Sequence, residues 1–375
     1  MKDLFSTQLI ETLQHESPFF LISHEKVLSQ FKTYQEHFPG AAIHYAMKAN
    51  SEKEVLWALY EAGSSFEVAS VYELEALIAI SVPADRINYG TSVKPVSHIK
   101  KFFEYGVKRF AFDSLSELEK IAAVAPGAEV YIRIAVDDTG SVYKFSEKFG
   151  TNKENTLPWL QRARDLGLIP CGISFHVGSQ ATNPLAWAAG VASMHDIFAQ
   201  LHSAGLGLEI LNIGGGFPCA YASTENPLSL AEIAEPLHAE LEKMTYKPQI
   251  VLEPGRGLIA ESSILVTKVI ARVERGASTW LFLDAGVYNA LFEALAYQGS
   301  TRYRVTMLRP SYSGGVSLFA LAGPTGDSAD VITREASLPH DVDVGDSLVF
   351  HDVGAYSMVV SSTFNGFPRP SVHVM

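Results

Sequence analysis

Lys48 stands directly behind the apolar, strand-like run AAIHYAM (41–47) and ahead of Ala49-Asn50. An amine so placed can condense with a carbonyl to form an imine, whereas most lysines are solvated surface residues. Three consecutive glycines, Gly214, Gly215 and Gly216, begin at the end of the run LEILNIG (208–214) and let backbone N–H groups close on an anion. Arg256, in EPGRG, adds the forked donors that suit a phosphate. Glu253 could keep the ring nitrogen of a planar cofactor protonated, which makes such a ring an electron sink; the alternative is a carboxylate capping a loop. His176, in SFHVGSQ, is either a core histidine or a platform for that ring. A glycine triplet can also be a plain tight turn. It is the combination that describes imine chemistry beside a phosphate cradle.

These residues can cooperate only if the elements carrying them meet. From residue 41 the chain alternates short β-rich runs with amphipathic helical stretches such as SEKEVLWALYEAG and VYELEALIAI. The strand candidates are 41–47, 65–69, 86–90, 109–113, 129–135, 171–177, 208–214 and 249–255, each bounded by turn-forming residues. Eight strand–helix units argue for a parallel sheet, and eight closes a (β/α)8 barrel; a doubly wound sheet is the alternative. In a barrel, Lys48 follows the first strand, Glu67 lies in the second, and Arg133 and His176 lie near the ends of the fifth and sixth. The glycines follow the seventh strand, and Glu253 and Arg256 follow the eighth. All would converge on one mouth, the C-terminal face where barrels carry their chemistry and hold phosphate.

After about residue 260 the pattern changes to strands separated by turns: SILVTKVIARVER, STWLFLDAG, YRVTMLRP, VSLFALAG and SLVFHDVG. The expected fold is α/β, a TIM barrel over 24–260 followed by an all-β, β-barrel-like domain over 261–375. Residues 1–23, with the run PFFLIS (18–23), are expected to join that β-domain.

The composition, 47% hydrophobic and 19% charged, is that of a globular protein with a large core. A net charge of −12 offers no basic field for a nucleic-acid backbone. Cys171 and Cys219 have no CxxC spacing, so no metal cluster is expected, and they suit a reducing cytoplasm. No signal peptide and no membrane-spanning run is expected.

The motifs YAMKAN, FEVASVYELE, RIAVDD with EKFG, SFHVGSQ, NIGGGFP, EPGR, DAGVYNALFEA, AGPTGDSAD and VGAYSMVVSSTFNGF occur in order along nearly the whole chain. On them the sequence resembles the alanine-racemase-fold (fold type III) decarboxylases that use pyridoxal 5′-phosphate (PLP), the ornithine, lysine and diaminopimelate group, and within it the ornithine/lysine branch. The resemblance implies that Lys48 carries PLP as an imine, His176 stacks on its ring, Glu253 pairs with the pyridine nitrogen and Arg133 lies near O3′. It implies that Ser179, Gly215, Gly216, Arg256 and Tyr356 hold the phosphate, and that Glu67 is an acid close to the lysine. It further implies a homodimer with shared active sites, AGPTGDSAD reaching into the partner's site, and a small-molecule amino acid as substrate.

Two positions depart from the family pattern. Gly326 stands where the family has a cysteine that helps protonate the product carbon, and Tyr297-Gln298 stands where it has Tyr-Asp, leaving Asp327 as the acid for a distal ammonium. The expected reaction is decarboxylation of an ornithine- or lysine-type amino acid to an amine. The alternatives are a modified amino acid as substrate, a decarboxylation-coupled oxidative deamination, a racemase, and an inactive regulatory homologue.

Overall fold

The computed structural model describes residues 5, 6, 10, 12, 13, 15–224, 226–296, 302–309 and 314–375. The chain divides into two compact units, one of residues 28–218 and 228–258, the other of residues 1–27, 219–227 and 259–375.

Strands are numbered along the chain. The strand β1 (Phe19–Ile22) falls in the second unit. The first unit supplies β2 (Ala42–Ala46), β3 (Ser65–Val68), β4 (Ile87–Tyr89), β5 (Arg109–Phe112), β6 (Glu129–Arg133), β7 (Ser141–Tyr143), β8 (Ile169–Ser174), β9 (Ser179–Ala181), β10 (Ile210–Asn212) and β11 (Gln249–Leu252). Eight of them close a parallel barrel in the order β2-β3-β4-β5-β6-β8-β10-β11, with β11 pairing back onto β2. These are the eight runs read from the sequence. The remaining pair, β7 and β9, forms a small antiparallel ribbon.

Inside the barrel, Ala111, Tyr131, Cys171, Ile210 and Val251 form one cluster with Ala42 packed against it. Side chains alternate along a strand, so two residues further on the same face brings Asp113, Arg133, Asn212, Glu253 and His44. The apolar layer thus supports a polar layer nearer the C-terminal mouth. Helices around the barrel start where Ser-x-x-Glu sequences dictate. Ser70 and Ser114 accept the N–H of Glu73 and Glu117, each at 3.3 Å, and Ser229 forms a reciprocal capping box with Glu232. Each such cap is worth about 1 kcal/mol.

The second unit is a sheet in the order β14-β17-β12-β13-β15-β16. Its members are β12 (Ser263–Arg275), β13 (Ser278–Leu283), β14 (Val305–Met307), β15 (Val316–Ala322), β16 (Val331–Pro339) and β17 (Ser347–His351). The run PFFLIS supplies β1, which pairs antiparallel to β12 and parallel to the terminal strand β18 (Ser371–Val374). Its core includes Phe19, Leu21, Ile264, Val266 and Val349. The sequence reading missed β16 and β18. Register shifts along the β15–β16 pair break the period of two, and β16 carries Arg334 and Glu335 exposed in its middle. Among the described residues no helix is long and apolar enough to cross a membrane.

Candidate active site

Lys48 sits in a 3-10 turn, Met47–Ala49, directly after β2. Its neighbours Met47 and Ala49 are buried, while its own side chain is 44% exposed and opens to solvent. Lys48 Nζ lies 3.3 Å from Oε2 of Glu67, whose side chain is only 4% exposed. Gly90 makes room for this acid: a Cβ there would come within 2.6 Å of Glu67 Oε1. A third group, Glu73, accepts the Ala69 N–H at 2.6 Å, and burial pushes its carboxyl up to about 7.

Across the mouth, Glu253 accepts from Asn212 Nδ2 at 2.6 Å. Burial and the nearby Glu67 raise its pKa to about 7, while Asn212, Lys48 and Arg133 act in the opposite sense. Arg133, the last residue of β6, stacks over Phe149 at 5.0 Å and feels Glu253, Asp113 and Glu67. His176 is held well below its ordinary pKa by burial, with Arg133 and Lys48 adding to the effect. Its Nδ1 accepts the Gly178 N–H at 3.0 Å, which assigns the proton of the neutral ring to Nε2. The ring of Phe145 packs edge-on at 5.0 Å.

The glycine triplet forms the third part. Every one of its carbonyls is already engaged: Gly214 with the Glu253 N–H at 2.8 Å, Gly215 with the Trp187 indole at 3.0 Å, and Gly216 with the Ala181 N–H at 3.0 Å. The N–H groups of Gly215 and Gly216, by contrast, have no acceptor among the described residues. Neither position tolerates a side chain. A Cβ on Gly215 would lie 2.4 Å from the Glu253 carbonyl, and one on Gly216, at φ +97°, would lie 2.4 Å from that of Gly178. Alongside, Arg256 is 4% exposed, donates to Ser179 Oγ at 3.3 Å and stacks over Tyr143 at 4.8 Å. Two open N–H donors, a buried guanidinium and a hydroxyl form an anion cradle.

This set fits PLP. The cradle matches the phosphate, Glu253 the ring nitrogen, and Lys48 the carbonyl. Replacing Gly216 by Ala is expected to weaken PLP binding by about 5–150-fold, the equivalent of 1–3 kcal/mol of backbone strain, as followed by equilibrium titration of the apoprotein. Unchanged affinity would remove the triplet from the cradle.

Lys48, Glu67, Arg133, His176, Ser179, Gly215, Gly216, Glu253 and Arg256 therefore share one end of the first unit. Asp327 and Tyr356 belong to the second. Tyr356 follows β17 in a left-handed conformation (φ 53°). Asp327, the acid expected to meet a distal ammonium, is exposed; it accepts the Ala329 N–H at 2.8 Å and the Tyr288 hydroxyl. Tyr297 and Gln298 lie outside the described residues. At Gly326 a Cβ would meet only Asn365 Nδ2, at 3.6 Å, so the position can carry a side chain.

The sequence reading missed Asn212, Glu73 and Trp187. A period of two counted back from Gly214 marks Asn212 as sharing a face with the site. The Ser-x-x-Glu cap marks Glu73. Trp187 gave no local signal, because its indole reaches the triplet only through the fold.

Residues 24–260 match the family model of the pyridoxal-dependent decarboxylase pyridoxal-binding domain. The chain is 34% identical to the lysine/ornithine decarboxylase of Selenomonas ruminantium, over 94% of this chain and 88% of that one. It is 32% identical to antizyme inhibitor 2 of Xenopus laevis, over 99% of this chain and 84% of that one. The crystal structure of the lysine/ornithine decarboxylase of Vibrio vulnificus, complexed with putrescine, superposes with a TM-score of 0.90 at 30% identity, covering 98% of each chain.

Proposed function

The chain belongs to the alanine-racemase-fold, pyridoxal-dependent decarboxylases, in the ornithine/lysine branch, and from that premise we propose that its substrate is free ornithine or lysine. It is a PLP-dependent decarboxylase of a basic amino acid. The observation that carries the assignment of roles is the pairing of Lys48 with the buried Glu67, on the same mouth as Glu253 and the open glycine N–H groups.

When bound, PLP supplies the electron sink that lets the bond between the α-carbon and the carboxylate break. Lys48 Nζ would hold it covalently and would be placed at the mouth to carry a proton. Glu67, at 3.3 Å, orients that amine. Glu253 keeps the ring nitrogen protonated, and Asn212 fixes the carboxylate through its 2.6 Å bond. His176, neutral, gives a flat face that adds no charge beside Arg133 and Lys48. Arg256, Ser179 and the N–H groups of Gly215 and Gly216 would hold the phosphate, a role that the family resemblance extends to Tyr356. Asp327 would receive the distal ammonium. The proton that finishes the amine comes from a group other than residue 326, since Gly326 has none to give.

Shared sites in a homodimer follow from the same reading. Asp327 and Gly326 are exposed in the single chain, as are Val316 (64%) and Leu318 (65%) on β15. Mixing inactive Lys48→Ala and Asp327→Ala proteins is expected to restore about one quarter of wild-type activity, because random pairing puts one intact site in half of the dimers. No recovery would mean that each chain completes its own site. Cys171 and Cys219, both buried and neither in a disulfide, suit a cytoplasmic enzyme.

The substrate is tested by incubating PLP-loaded protein with ornithine, lysine, arginine and diaminopimelate while following CO2, amine and aldehyde by mass spectrometry. CO2 with an equal amount of diamine supports the proposal. Aldehyde and ammonia in place of the diamine would show that Gly326 diverts the reaction to oxidation. Absence of CO2 from every free amino acid would sink it in favour of a modified substrate or of a regulatory role, the reading that the likeness to antizyme inhibitor 2 keeps open.

A further inference from the structure

One buried polar atom beneath the mouth has no role in this scheme. Tyr131 lies in β6 two residues before Arg133, within the apolar layer of Ala111, Cys171, Ile210 and Val251, and is 3% exposed. Its hydroxyl has no hydrogen-bond partner among the described residues. Burial, with Glu253 and then Glu67 adding to it, holds this phenol well above its ordinary pKa, so it remains a neutral donor within electrostatic reach of both acids. A buried hydroxyl left unpaired is costly, and such atoms are nearly always satisfied, often by one enclosed water. Phenylalanine would fill the same apolar space without that cost. Val251, in the same layer, precedes Glu253 by two residues on the same strand face, so Glu253 lies directly above the tyrosine's layer.

We propose that Tyr131 is a positioning residue for Glu253, its hydroxyl donating through one buried water to the carboxylate that Asn212 holds from the other side. This rests on the placement of PLP argued above. Removing the hydroxyl raises the free energy of the ionised carboxylate and so weakens its hold on the protonated ring. The groups that face Glu253 from the surrounding elements are Glu67 on β3, Lys48 after β2, Arg133 on β6 and Asn212 on β10, and all are unchanged in the Phe variant.

The test compares wild-type and Tyr131→Phe holoenzyme in the rate of PLP loss on dilution, the pH titration of the bound-cofactor absorbance, kcat and KM, and the Tm of the apoprotein. The expected result is cofactor loss faster by about 5–10-fold, the worth of one hydrogen bond. The absorbance midpoint should shift and kcat should fall with KM unchanged. A higher apoprotein Tm with wild-type cofactor loss and an unshifted titration would overturn the proposal, leaving the hydroxyl a mere packing defect. If the variant does not fold, a high-resolution structure of the wild-type holoenzyme decides: ordered water joining Tyr131 and Glu253 supports the link, and its absence refutes it. Failure of the PLP placement is separately visible, as a bound-cofactor absorbance that survives Lys48→Ala in an otherwise wild-type chain.

Discussion

Lys48→Ala protein will fold, lack a covalent cofactor and turn over about 10²–10⁴-fold more slowly than wild type, from the loss of one positioned proton carrier alone. The covalent hold is lost in addition. Folding is expected because the Lys48 side chain is 44% exposed, with its amine reaching Glu67. Lys48→Arg separates these two parts. Guanidinium keeps the ion pair with Glu67 but does not form the imine, so the Arg variant should match wild-type Tm and show the turnover of the Ala variant. Borohydride reduction followed by peptide mass spectrometry reads the covalent bond directly, and a wild-type adduct on any lysine other than Lys48 defeats the assignment.

Glu253→Gln will cost on the order of 10²–10³-fold in turnover, the usual effect of removing one preorganised electrostatic partner from a buried site. The same substitution will stabilise the apoprotein at alkaline pH. In the folded chain the Glu253 carboxyl rises from an ordinary 4.5 to about 7, chiefly through burial and then through Glu67. The folded state therefore binds this proton more tightly than the unfolded state does. The group's contribution to stability is complete below 4.5 and is lost as the pH rises through about 7. Glutamine is neutral throughout and escapes that loss, so the Tm of the variant apoprotein should exceed that of wild type at pH 8 and converge with it near pH 5. On the proposed placement of PLP, such an acid is kept at the expense of stability because a cationic ring nitrogen would sit beside it. Wild-type turnover in the Gln variant, or no pH-dependent gap in Tm, would show that Glu253 faces something other than a protonated ring.

Much of this was legible in one dimension. Alternating apolar runs with helical stretches between them are local signals, and all eight barrel strands could be read from them. Lys48, Glu67, Arg133, the glycine triplet and Glu253 fall at strand ends or just past them, and a barrel sends all such ends to one face. Other features depended on pairing between distant parts of the chain. No local pattern tells that Trp187 caps the Gly215 carbonyl, that Gly90 clears space for Glu67, or that Asn212 grips Glu253, since each is a contact set by register and barrel closure. Nor does any local pattern announce β16, where register shifts blur the alternation. Residue type and spacing, being covalent and short-range, determined by themselves which chemistry this chain carries. Which acid meets which cation, and which N–H is left open for an anion, was decided only when the tertiary structure closed the barrel, because burial and hydrogen-bond geometry are properties of neighbours that the sequence keeps far apart.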